Sequence, residues 1–92
     1  MATLAEKLAK AEKEFEDTRA TLKTTNTVDN KEAMLRAEVA VKEIEYKIKE
    51  AELKALVDGG IGAEDLRFKV ANKALDDARE ERNKAEARLD VL

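Results

Sequence analysis

VDNKEAMLRAEVAVKEIEYKIKEAELKALVDGG, residues 28–60, decides how this chain folds. Its apolar residues fall into two rows at helical spacing. The first is Met34, Ala37, Val41, Ile44, Ile48, Ala51 and Ala55, and the second is Leu35, Val39, Tyr46, Leu53 and Leu56. With a turn of about 100° between successive residues, the mean directions of the two rows lie nearly opposite each other. One neighbouring helix cannot cover both. In a closed three-helix triangle the two contacts of any helix are closer to adjacent than to opposite. Either the helices form an open array with this one in the middle, or the second row binds another chain.

The ends of this helix are written in its punctuation. Asp29 followed by Glu32 fits a capping box, and Val28 with Ala33 has the spacing of a hydrophobic staple, which predicts a start near Asn30. Asp58-Gly59-Gly60 predicts the stop, because glycine enters the left-handed conformation that closes a helix without a Cβ clash. Upstream, Leu4, Leu8, Ala11, Phe15, Thr18 and Leu22 make one stripe, with Thr3 and Glu6 as a capping box. Thr24-Thr25-Asn26-Thr27, a run of weak helix formers, predicts the first turn. Downstream, Gly62 is the expected N-cap, with Ile61 and Leu66 as staple and Glu64-Asp65 set against the helix dipole. The stripe that follows is Phe68, Ala71, Leu75, Ala78, Arg82, Ala85, Leu89 and Leu92. Arg82 interrupts it, and is expected to reach solvent from the stripe's edge.

The chain is therefore predicted to be all-α and a single helical domain over residues 1–92. Its three amphipathic helices, at about 3–25, 30–58 and 63–91, are antiparallel, as an up-down-up bundle or an open coiled-coil-like array. The composition agrees. Charged residues make up 42% and hydrophobic ones 43%, there is no proline, and the three aromatics are Phe15, Tyr46 and Phe68. Acids stand four residues before bases in eight places, from Glu6-Lys10 through Glu38-Lys42 and Asp65-Lys69 to Glu80-Lys84, and each is expected to support its helix locally.

The chemistry available to the chain is narrow. It has no histidine and no cysteine, which removes the commonest general base, thiolate nucleophiles and the usual zinc ligands. The acidic neighbours Asp76-Asp77 and Glu80-Glu81 read as surface charge, since carboxylates on a solvated face have no reason for a raised pKa. Gly59-Gly60-Ile61-Gly62 precedes a helix, but no strand leads into it and no Lys-Ser or Lys-Thr follows, so it reads as a turn and not a phosphate loop. No catalytic residue, metal site or cofactor is expected.

Charge argues against nucleic acid as a partner. Net charge is −3, with segments 1–25, 26–58 and 59–92 at zero, −2 and −1, and bases interleave with acids throughout. Membrane binding is not expected either, without tryptophan, a basic polar face or a long apolar run. A soluble chain, cytoplasmic or virion-associated, is the expectation.

In length the chain resembles the small helical-hairpin secretion substrates, but it lacks their Trp-x-Gly turn and has three helices where they have two. As a cysteine-free, Ala/Glu/Lys-rich helical chain it is similar in composition to proteins found among bacteriophage structural and accessory proteins. The residues themselves predict a non-enzymatic structural or protein-interaction module. It is expected to pack against copies of itself or a partner protein through Leu35, Val39, Tyr46, Leu53 and Leu56, as a homo-oligomer or part of a larger assembly. The alternative is a small monomeric inhibitor or adaptor that blocks one target. The unpaired apolar positions Leu66 and Val70, opposite Phe68, add surplus around the second turn.

Overall fold

A computed structural model describes the whole chain, Met1–Leu92. Three helices follow one another, α1 (Leu4–Thr24), α2 (Val28–Asp58) and α3 (Leu66–Asp90), and there is no strand. Thr3 caps α1, its hydroxyl accepting the Glu6 N–H at 3.1 Å and donating to the Glu6 carboxylate at 3.3 Å. The helix ends at Thr24, inside the threonine run, where the Thr25 N–H still bonds the Thr21 carbonyl.

Two of the predicted starts are displaced. α2 begins at Val28, with Thr27 as N-cap accepting the Asn30 N–H at 3.1 Å. The Asn30 side chain in turn donates to the Thr25 carbonyl at 2.8 Å, so the turn satisfies itself before Asp29 is reached. α3 begins at Leu66, with Asp65 as N-cap in place of Gly62. A carboxylate accepts the orphan N–H groups that glycine leaves unpaired, which favours the later start. Neither predicted staple forms, because Val28 and Leu66 are both exposed.

The α2 stop follows the glycines. Gly60 has φ +87°, the Gly60 N–H bonds the Val57 carbonyl, and the Ile61 N–H reaches back to the Leu56 carbonyl, each at 3.0 Å. This pair of bonds is a Schellman motif, and half-buried Leu56 and Ile61 sit at the positions whose apolar contact usually accompanies it.

α1 and α3 each pack on α2 and make no contact with one another. The open array is thus the arrangement adopted, with the two-sided helix in the middle. Its dimensions follow: 51 × 30 × 16 Å, with a radius of gyration of 16.0 Å. A compact chain of this length would have about 12 Å. Arg36, Ala40, Lys47 and Lys54 of α2 are exposed on one broad side, whereas Glu38, Lys42, Glu45 and Lys49 are half covered on the other.

The stripes predicted for the outer helices face inward. Leu4, Leu8, Phe15, Thr18 and Leu22 are half-buried and Ala11 buried, and on α3 the row from Phe68 to Leu89 behaves likewise, with Leu75 and Ala85 buried. α1 is ten residues shorter than α2. A groove lined by Glu14, Asp17 and Thr18 with Ala33, Ala37 and Ala40 shows its register, the second half of α1 lying beside the first half of α2. Extended along that register, α1 ends opposite the region of Ile48. Ala51 and Ala55, the last two members of the first α2 row, are consequently exposed.

Candidate interaction surface

The row Leu35, Val39, Tyr46, Leu53 and Leu56 faces α3. Leu35 is 5% exposed, and the other four are half-buried. Much of the surface that the doubled stripe offered to another chain is therefore covered within this one, while four of its five residues keep part of their area open. The physical reason is geometric: α1 and α3 take opposite sides of α2, which a closed triangle would forbid. Tyr46 shows the packing most directly, since the Arg82 guanidinium lies 4.5 Å and that of Arg79 5.8 Å from its ring centroid.

Charges flank this seam and fix its register. Glu38 accepts two bonds from Arg88, at 2.6 Å from the terminal nitrogen and 3.0 Å from Nε, and Glu43 stands 3.8 Å from Arg82. α2 numbers rise as α3 numbers fall, so the helices run antiparallel. Glu38 was expected to serve Lys42 on its own helix; sequence spacing carries no signal for a partner fifty residues away. Of the eight local pairs predicted, Glu32–Arg36 alone forms, at 2.6 Å. Lys13–Asp17, Lys54–Asp58 and Lys73–Asp77 form in the opposite order along the chain.

Arg82 departs from expectation. Its side chain is 23% exposed and lies across Tyr46 instead of reaching solvent. A weakly hydrated planar guanidinium gains more from an aromatic face and a nearby carboxylate than an ammonium would. Its Nε is buried and has no hydrogen-bond partner. Arg79 sits at the same ring with its pKa raised above the ordinary value, chiefly by the Tyr46 side chain, with Asp76 and Glu50 adding.

The second turn presents a different surface. Val57, Leu66 and Val70 are 50%, 73% and 61% exposed, Leu66 and Val70 lying on the side of α3 turned away from α2. Beside them Asp65 accepts the Arg67 N–H at 2.8 Å and pairs with the Arg67 guanidinium at 2.9 Å, which lowers its pKa to about 2. No group of three acidic side chains converges closely enough to hold a metal ion. No helix is long and apolar enough to cross a membrane. Comparison with family models, curated proteins and solved structures finds no match.

Proposed function

We propose that this chain is a non-enzymatic structural module that works by packing against copies of itself. The observation that carries the reading is surface area. The chain exposes 6399 Å². A compact monomer of its 10.3 kDa would expose about 5,400 Å². The surplus of about 1,000 Å² is comparable to the roughly 800 Å² that each partner buries in a stable protein–protein contact. Only five of the 92 residues are buried. Association supplies the burial that the open array lacks, and the exposed Val57, Leu66 and Val70 supply apolar surface for it.

Sedimentation velocity of the full chain across a concentration series tests this. A concentration-dependent rise in sedimentation coefficient, with helical content unchanged or increased, is the expected result. A folded chain that stays monomeric at every concentration would overturn it and favour an inhibitor or adaptor that binds a foreign protein.

A further inference from the structure

The outer side of α3 is covered by no other helix of the chain, and its charges come in two blocks. Lys69 and Lys73 come first, Asp76, Asp77 and Glu80 follow, and Lys84 lies beyond them. A groove along this side is lined by Lys69, Asn72, Lys73, Asp76, Asp77 and Glu80. Leu66 and Val70 are exposed at its basic end. Two of the charges have no ion-pair partner in the chain. Lys69 could have paired with Asp65, but Asp65 is taken by Arg67; Glu80 could have paired with Lys84, but Lys84 turns to Glu81 at 3.8 Å. Lys69 and Glu80 are eleven residues apart, about three helical turns, and so project from the same side.

A stretch such as 69–80, basic and then acidic along one side, is complementary to itself in one orientation. Parallel pairing sets like against like; antiparallel pairing sets each block against its opposite. We infer that a second copy of the chain docks on this side, its α3 antiparallel to the first about a two-fold axis between Lys73 and Asp76. Lys69 of each copy then meets Glu80 of the other, and Lys73 meets Asp76. Leu66 lies along the aliphatic stem of the second copy's Lys84, which removes part of its apolar surface from water. α1 offers no equivalent, because its outer side carries alanines such as Ala9 and Ala20 among mixed charges. The inference rests on the self-association proposed above and names the face and the orientation.

Charge exchange between two variants separates the possibilities. Lys69→Glu with Lys73→Glu makes one variant, and Asp76→Lys with Glu80→Lys the other. All four side chains are exposed, so circular dichroism should show both folded. Each variant alone faces like charges across the seam, and its self-association should weaken at least about tenfold relative to the unaltered chain. An equimolar mixture restores attraction on both sides of the axis and should recover a heterodimer close to wild-type affinity by sedimentation equilibrium. Variants that self-associate as tightly as the unaltered chain, or a mixture no tighter than its components, would overturn the α3 pairing while leaving self-association standing. An unaltered chain that never self-associates would overturn both.

Discussion

The two seams of α2 are built differently although they share one helix. Toward α3, Glu38 meets Arg88, Glu43 meets Arg82, and Tyr46 lies under two guanidinium groups. Toward α1 no ion pair crosses at all: the charges of α1 pair along their own helix, as Lys13 does with Asp17 and Arg19 with Glu16. Apolar and alanine contacts are permissive about register, whereas paired charges and a stacked arginine are not. The α2–α3 hairpin is accordingly the specified part of the fold. α1 is an apolar strip laid against its free side.

Breaking the specified seam should have the largest effect. Leu53→Asp places a charge in the half-buried row against α3 and should abolish cooperative thermal unfolding followed by circular dichroism. Leu35→Ala should cost about 2 to 5 kcal/mol, a large share of what a small domain possesses. If Leu53→Asp instead left folding intact and altered only association, the row would serve a partner after all. The α1 seam should yield more cheaply. Phe15→Ala removes a half-buried ring and should cost about 1 to 2 kcal/mol. Native-state hydrogen exchange should show α1 amides opening well before those of α2 and α3. Equal protection across all three helices would erase the distinction.

Smaller perturbations sharpen it. Arg88→Met removes the Glu38 pair while keeping the stem, and should cost about 1 kcal/mol or less, because half of the arginine is solvated. Its effect should shrink in high salt, whereas that of Phe15→Ala should not. The smallest effect belongs to Asp65. Its folded pKa of about 2 lies below the ordinary carboxylate value, so its contribution is complete above roughly pH 4 and is lost as pH falls through 2. Asp65→Asn should flatten that part of the acid-unfolding curve, by loosening the start of α3 and leaving α1 untouched.

Much of this was legible in the sequence. The α1 and α3 stripes, the capping of α1 by Thr3 and the glycine stop at Gly60 rest on interactions within a turn or two of chain, which residue types and spacing encode directly. The starts of α2 and α3 were misplaced by two or three residues, because more than one residue near each start can cap and the competition is settled by geometry. Arg82 was misread for a related reason. Its position on the stripe was visible, but Tyr46 beneath it was not.

The sequence by itself determined three helices, their inward faces and the fact that α2 has two apolar sides, since helical periodicity is a property of the chain alone. The tertiary structure decided what covers each side. It put α1 and α3 on opposite flanks of α2, carried Glu38 to Arg88, and left the outer side of α3 bare. Those outcomes depend on which distant surfaces meet, and the helices' own spacing holds no record of that meeting.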